Sequence, residues 1–309
     1  MKNNFETSKT LNNSFVYGMG SFFNIFNSEH KKCFEIAEKN NFFFHSSISY
    51  PGSSLFYKTI SKNKTNNDKK LILKIAGYSY DQLRYEIDES LKEFKLDQLF
   101  GFQLWEKLPL NQNKINQKEL IRIISYLEKL KKEKVIKKTF FQIEPDKFLF
   151  EEIDFFDGYA FYGYPYELQL EKKHFLKIIK AKKILLQFQF FGGRNTKIFR
   201  ESFKKKTDNL NDIEIDKLWI NECLNFTNNI SENNCLFVGC TQKSRRLDYL
   251  ANLLSQRRDH INLKEFNFSD NLKHQTKSNY STDKHPSYLK KVRSNWFLTK
   301  VYLKKFLKI

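Results

Sequence analysis

Side chains that can move a proton stand at the ends of apolar runs in this sequence. His45 and Tyr50 are five residues apart in FFFHSSISYPG, and Lys74 follows the apolar run LIL. A free phenol titrates near pH ~10, so a lysine cation beside Tyr50 would favour the phenolate form. A lysine that points inward from a buried strand needs a partner. The alternative is that Tyr50 serves only in packing.

Such side chains need a scaffold that brings the ends of several strands together. Short apolar runs alternate with longer segments of helical spacing, which is typical of parallel strands joined by helical crossovers. Eight runs predict strands, at 14–18, 41–45, 70–74, 99–105, 135–141, 158–162, 184–190 and 235–239.

The intervening segments predict helices. Their ranges are 28–39, with Ser28 as its cap, 53–61, 79–94, 117–132, 145–152, 167–180, 212–229 and 243–256. Eight strand–helix pairs within about 255 residues match the size of a (β/α)8 barrel, whose chemistry lies at the carboxyl ends of its strands. An open, doubly wound sheet is the alternative, but no Gly-x-Gly-x-x-Gly follows any strand. The prediction is a TIM barrel over residues 1–256.

Several motifs, in their order along residues 14–254, resemble the aldo/keto reductase family. YGMG stands near the start, LILK follows the Tyr50 turn, and LFVGCTQKSRRLDYL comes last. The segment ESLKEFKLDQL is the most specific, because it reproduces nearly all of a family pattern. The resemblance implies a (β/α)8 barrel that binds NADPH or NADH and transfers hydride to an aldehyde or ketone.

The resemblance also implies a set of catalytic positions. The family's tyrosine falls on Tyr50 and its lysine on Lys74, whereas His45 occupies the aspartate position and Trp105 the histidine position. Tyr50 would protonate the carbonyl oxygen with Lys74 beside it. A neutral His45 cannot hold a charged lysine as a carboxylate does, and the indole of Trp105 fills substrate space. Each lost group would cost about 10²–10⁴ in rate, so a weakened reductase is expected.

One half of a cofactor site is implied after the seventh strand. Phe188 falls where an aromatic ring stacks on the nicotinamide, and Gly192 and Gly193 match the paired glycines of the following loop. The sixth strand departs from the family, since Tyr159 and Gly163 stand where it uses glutamine and asparagine. The expected cofactor is NADP or NAD.

The other half is implied after the eighth strand. Lys243 and Ser244 stand at a helix start, with Arg245 close behind, in a loop similar to the family's adenosine-phosphate loop. The N-terminus of a helix favours phosphate binding. The alternative is an ordinary capped helix on a lysine-rich surface.

The final residues form a region of different character. The chain has 54 Lys and Arg against 35 Asp and Glu, which gives a net charge of +19. Residues 255–309 contain 13 of the basic residues and only 4 of the acidic ones. Within the predicted tail, 257–309, residues 287–309 predict a basic amphipathic helix. It could pack on the barrel, lie on an anionic membrane surface, or bind a partner protein; nucleic acid is the less favoured partner.

The remaining composition excludes other classes. The four cysteines show neither a CxxC pair nor zinc-ligand spacing, so no metal and no disulfide framework are expected. The first residues hold no apolar signal segment, and a cytoplasmic protein is expected. The leading function is an NAD(P)H-dependent oxidoreductase acting on a small carbonyl substrate. The alternatives are a non-catalytic barrel scaffold or regulator and a membrane-surface or nucleic-acid binder acting through the tail.

Overall fold

The computed structural model describes most of the predicted barrel. The chain forms two compact units, Met1–Asn267 and Phe268–Ile309. The whole second unit lies outside the described residues, so the tail boundary at 256/257, the helix at 287–309 and the tail's partners stay predictions. The described residues are 14–20, 25–50, 52–61, 64–75, 79–104, 110–111, 114–115, 117–142, 155–165, 167–168, 172–192, 210–230 and 235–256.

Long parallel strands form the body of the sheet. They are β1 (Ser14–Gly18), β2 (Phe43–Ser46), β3 (Leu71–Ile75), β4 (Leu99–Leu104), β7 (Ile136–Gln142), β8 (Gly158–Tyr164), β10 (Ile184–Phe188) and β11 (Cys235–Gly239). Short antiparallel pairs lie between them in the chain. Their strands are β5 (Leu110–Asn111) paired with β6 (Lys114–Ile115), and β9 (Glu167–Leu168) paired with β8.

Parallel pairing closes the sheet on itself. The pairs run β1–β2, β2–β3, β3–β4, β4–β7 and β7–β8, and then β8–β10, β10–β11 and β11–β1. Val16, for example, lies in register with Phe43 on one side and Val238 on the other. The closed ring confirms the predicted (β/α)8 barrel and excludes the open doubly wound sheet.

Helices follow the strands around the barrel. They are α1 (Ser28–Lys39), α2 (Ser53–Ile60), α3 (Lys64–Asp68), α4 (Tyr80–Phe94), α5 (Gln117–Lys132), α6 (Lys172–Lys180), α7 (Asp212–Ile230) and α8 (Ser244–Gln256).

One predicted helix cap and one predicted helix range are corrected by the structure. The cap of α1 is Asn27 and not Ser28, because the Asn27 side chain accepts hydrogen bonds from the N–H groups of Glu29 and His30. The segment predicted as one helix at 167–180 contains the short strand β9 before α6 begins at Lys172. The helix predicted at 145–152 lies outside the described residues.

Alternation along the strands divides the apolar side chains into two cores. Val16, Ile72 and Leu186 belong to a cluster inside the barrel, whereas neighbouring strand residues belong to a larger cluster with the helices. There the ring of Phe34 in α1 stacks on Phe44 in β2 with centroids 4.9 Å apart. Most strand residues are therefore buried on both faces of the sheet, with the exposed Lys137 of β7 as an exception.

Among the described residues, no helix is both long enough and apolar enough to span a membrane.

Candidate active site

A row of hydrogen-bonded side chains crosses the barrel mouth, by which we mean the carboxyl ends of its parallel strands. His45 Nε2–H donates to Gln103 Oε1 over 2.7 Å, and Gln103 Nε2 donates to Gln142 Oε1 over 3.0 Å. The three side chains come from the ends of β2, β4 and β7, and each residue is at most 2% exposed. The strand that lies between β2 and β4, β3, carries Lys74 in register with Gln103.

His45 is neutral in this environment. Burial lowers its pKa from 6.5 to about 3; the nearby Lys74 cation also lowers it, while the hydrogen bond to Gln103 opposes the shift. Because Nε2–H donates to Gln103, Nδ1 carries the lone pair of the neutral ring. The ring meets Phe188 edge-on, with centroids 4.9 Å apart. His45 therefore supplies neither the negative charge of an aspartate nor a positive charge.

Tyr50 and Lys74 meet beside His45. Tyr50 lies in the turn after β2, where its N–H donates to the Ser47 carbonyl. Lys74 Nζ lies over the Tyr50 ring, 5.7 Å from its centroid, and the His45 ring centroid is 6.4 Å from that of Tyr50. A cation over a phenol ring is attracted to its negative face. The structure thus brings together a phenol, an ammonium group and an imidazole.

The protonation of Tyr50 differs from the sequence expectation. Desolvation raises the pKa of Tyr50 above its usual value of 10, and the neighbouring Cys240 and Tyr162 raise it further. Lys74 faces the ring and does not overcome the loss of solvent around the hydroxyl. Tyr50 therefore remains protonated at neutral pH, a state that can donate a proton but yields a phenolate less readily than expected.

Three of the four expected catalytic positions converge, and Trp105 lies outside the described residues. Gln103 and Gln142 were missed in the sequence. Their signal was a polar residue near the end of an otherwise apolar run, in FGFQLW and TFFQ. In the part of the chain that the structure describes, no group of three or more His, Cys, Asp and Glu residues is arranged to hold a metal ion.

The nicotinamide half of the expected cofactor site lies at the same mouth. Phe188 ends β10 and is half-buried, between His45 and the Tyr162 ring, whose centroid is 6.1 Å away. Gly192 has a φ of 86°, which glycine adopts without strain, and its N–H closes a turn onto the Gln189 carbonyl at 2.6 Å. Gly193 lies outside the described residues. The aromatic ring and the glycine turn are compatible with a nicotinamide at Phe188.

Gln142 offers a polar partner to the same group. Its Nε2 is buried and has no hydrogen-bond partner among the described residues, although its Oε1 accepts from Gln103. A buried donor of this kind costs roughly 1–3 kcal/mol if it stays unpaired. A carboxamide oxygen is an acceptor that would satisfy it. The residues at the mouth therefore fit a nicotinamide.

The residues expected at the adenosine phosphate have other partners. Ser244, the first residue of α8, donates from both N–H and Oγ to Glu29 of α1, each over 3.0 Å. Arg245 pairs with Asp216 of α7 at 3.1 Å, and Lys243 is exposed. The sequence did not point to Glu29 or Asp216. This end of the site does not fit an additional phosphate as it stands.

Comparison with known proteins gives a fold and no sequence match. No protein-family model and no curated protein matches the sequence. An aldo-keto reductase from Klebsiella pneumoniae in complex with NADPH has a TM-score of 0.58 and 11% identity, covering 78% of this chain and 85% of that chain. The aldose reductase from Giardia lamblia has a TM-score of 0.57 and 10% identity, covering 86% and 92%.

These identities are low, so the likeness is one of fold. It agrees with the closed barrel of parallel strands joined by helices. The resemblance expected from the motifs is confirmed at that level: the chain is an aldo/keto reductase-like (β/α)8 barrel.

Proposed function

We propose that this barrel is an NAD(P)H-dependent oxidoreductase that interconverts an aldehyde or ketone with its alcohol, with weakened catalysis. The observation that carries the proposal is the meeting of Tyr50, Lys74 and His45 at the mouth, with Lys74 Nζ 5.7 Å from the centre of the Tyr50 ring. A protonated phenol beside a cation is suited to donating a proton to a developing alkoxide. The barrel mouth is also where enzymes of this architecture bind their substrates.

Tyr50 and Lys74 divide the proton chemistry between them. The carbonyl oxygen of the substrate would accept a hydrogen bond from the Tyr50 hydroxyl, which then donates its proton. The phenolate left on Tyr50 is stabilised by the positive charge of Lys74. Bound NAD(P)H supplies the hydride. In the reverse direction, the same phenolate takes the proton from the alcohol.

Phe188 and Gln142 would orient the nicotinamide. The half-buried Phe188 ring gives the nicotinamide a surface on which to stack, and the unpartnered Gln142 Nε2 can donate to the carboxamide oxygen. Stacking and one directed hydrogen bond fix both the plane and the rotation of a flat ring. The side chains that hold the cofactor thus adjoin those that move the proton.

His45 accounts for the weakened catalysis. Lys74 has no carboxylate at position 45, because a neutral imidazole occupies it and its Nε2–H is already donated to Gln103. Desolvation also raises the pKa of Tyr50. A phenol of raised pKa is a weaker acid, and a lost orienting group such as the carboxylate beside Lys74 costs about 10²–10⁴ in rate.

A non-catalytic barrel that keeps the reductase-like fold as a scaffold or regulator is the second candidate. It is favoured by the state of the α8 start, where Glu29 and Asp216 hold Ser244 and Arg245. Contacts of this kind stabilise the outer ring of helices and need no turnover. The two candidates differ in one observable, the oxidation of bound NAD(P)H by a carbonyl compound.

Turnover with a panel of aldehydes and ketones tests the proposal. The oxidation of NADH and of NADPH is followed by absorbance in wild type and in Tyr50→Phe. We expect slow turnover in wild type and a loss of about 10²–10⁴ in kcat/KM in the variant. Tyr126→Phe, which removes a surface hydroxyl bonded to Asp88, is the matched control. Nucleotide binding without turnover of any compound would favour the scaffold.

A further inference from the structure

The start of α8 already holds an anion from within the chain. The N–H and Oγ of Ser244 both donate to Oε2 of Glu29, which belongs to the first turn of α1. These two bonds lower the pKa of Glu29, and the Lys32 and Lys243 cations nearby lower it further. A helix N-terminus presents free N–H groups and a partial positive charge, which a carboxylate or a phosphate can equally satisfy. Glu29 is in the place of such a phosphate.

Arg245 and Arg246, which follow Ser244 in α8, are also paired with a carboxylate. Asp216 of α7 has a side chain only 4% exposed, and its Oδ2 lies 3.1 Å from Arg245 and 2.9 Å from Arg246. A phosphate that drew Arg245 away would remove one of the two arginine partners of the buried Asp216 carboxylate. Two carboxylates, Glu29 of α1 and Asp216 of α7, thus already bind the hydrogen-bond donors of residues 244–246 at the α8 start.

A carboxylate distinguishes an adenosine whose ribose hydroxyls are free from one whose ribose carries a phosphate. A ribose hydroxyl donates a hydrogen bond to a carboxylate, as the acidic residue of other NAD-binding sites does. A phosphate on that ribose meets the same carboxylate as a like charge, which is repulsive and is screened where water has access. Glu29 is partly exposed, so the penalty is reduced but not removed.

Resting on the proposed dinucleotide-dependent function, we propose that Glu29 sets the cofactor preference of this barrel. The α8 start accepts a dinucleotide whose adenosine ribose has free hydroxyls and disfavours one with a 2′-phosphate, so NADH is preferred over NADPH. The Lys-Ser-Arg sequence at 243–245 is then a set of helix-anchoring contacts and not a phosphate site.

The test is equilibrium binding of NADH and NADPH to the full chain by isothermal titration calorimetry. We expect NADH to bind wild type about tenfold more tightly than NADPH. Glu29→Gln, which keeps the shape but removes the charge, should tighten NADPH by about tenfold and leave NADH within about twofold. Glu35→Gln removes a charge from an exposed residue further along α1 and should change neither affinity.

Three results are decisive. NADPH binding to wild type as tightly as NADH would overturn the assignment of Glu29 while leaving the proposed function in place. An unchanged preference in Glu29→Gln, with the fold verified by circular dichroism, would also overturn it. Binding of neither nucleotide at millimolar concentration would overturn the proposed function, and the preference with it.

Discussion

Gln103 accepts a 2.7 Å hydrogen bond from His45 Nε2 within the barrel mouth. The same amide donates to Gln142, so it fixes the direction of the row, and the Nε2 proton of His45, which burial keeps neutral, is engaged. A member of a buried polar row that loses a partner it has costs the fold stability. This relationship explains how the barrel accommodates an imidazole beside Lys74.

Gln103→Leu should destabilise the barrel. The substitution keeps an aliphatic side chain but removes the partners of His45 Nε2–H and Gln142 Oε1, each at a cost of roughly 1–3 kcal/mol. We expect a loss of about 2–4 kcal/mol in the free energy of unfolding, measured with urea. Gln256→Leu, an exposed change at the end of α8, is the control and should stay within about 0.5 kcal/mol. If Gln103→Leu lowered the free energy of unfolding no more than the control does, the hydrogen-bonded row would not stabilise the barrel mouth.

His45 should give the barrel an acid-sensitive stability. Its folded pKa of about 3 is below the unfolded value of 6.5, so in this interval only the unfolded chain binds the proton. The free energy of unfolding therefore falls as the pH is lowered from ~6.5 towards 3, by up to ~1.4 kcal/mol per pH unit. Between pH 7 and pH 5 the His45 contribution is about 2 kcal/mol.

His45→Gln isolates that contribution. The variant keeps an N–H donor for Gln103 but cannot titrate. Urea unfolding at pH 7 and pH 5 should show a smaller loss on acidification in the variant than in wild type. Equal losses in the two proteins would mean that His45 is protonated in the folded state or solvated at the mouth.

Lys74 should act through the phenolate of Tyr50. In Lys74→Met the cation over the ring is lost, and we expect kcat/KM for carbonyl reduction to fall by about 10²-fold or more. Lys74→Arg keeps the positive charge and should restore part of the loss. The affinity for NADH should change little, because the proposed nicotinamide contacts are Phe188 and Gln142 and not Lys74. Full activity in Lys74→Met would remove Lys74 from the proton chemistry.

Restoring the family's pair of residues should raise turnover. In His45→Asp with Trp105→His, a carboxylate stands beside Lys74 and an imidazole replaces the indole that the resemblance puts in the substrate space. We expect carbonyl reduction to rise by at least about tenfold over wild type. The double variant is compared with each single one, after thermal unfolding has shown that all three fold. If the double variant shows no carbonyl reduction, and wild type shows none either, the result would favour the non-catalytic scaffold.

The fold was predictable because the signals that specify it are local. Alternating apolar runs and helical stripes placed every barrel strand within two residues of its observed bounds, and 14–18 and 235–239 were predicted without error. The bounds of α1 were predicted correctly, but its cap was assigned to Ser28, whereas Asn27 satisfies the first free N–H groups. Strand β9 was missed because a two-residue bridge has no periodicity.

The site was less accessible to sequence reasoning. Tyr50 and Lys74 were found because the motifs around them keep their order. The partners of Ser244 and Arg245 were missed because Glu29 is 215 residues from Ser244 and Asp216 is 29 from Arg245, and no local pattern records such pairings. The raised pKa of Tyr50 was missed for the same reason, since it depends on burial and on Cys240 and Tyr162.

Binding of NADH at the barrel mouth tests the central claim most directly, since it needs no knowledge of the substrate. NADH is titrated into wild type and into Phe188→Ala while its fluorescence is followed. The account predicts saturable binding to wild type and an affinity about tenfold weaker in the variant, because stacking on an aromatic side chain contributes roughly 1–3 kcal/mol. Leu176→Ala, at an exposed position of α6, should bind as wild type does. No saturable binding at millimolar NADH, or equal affinity in wild type and Phe188→Ala, would contradict a nicotinamide site at this mouth.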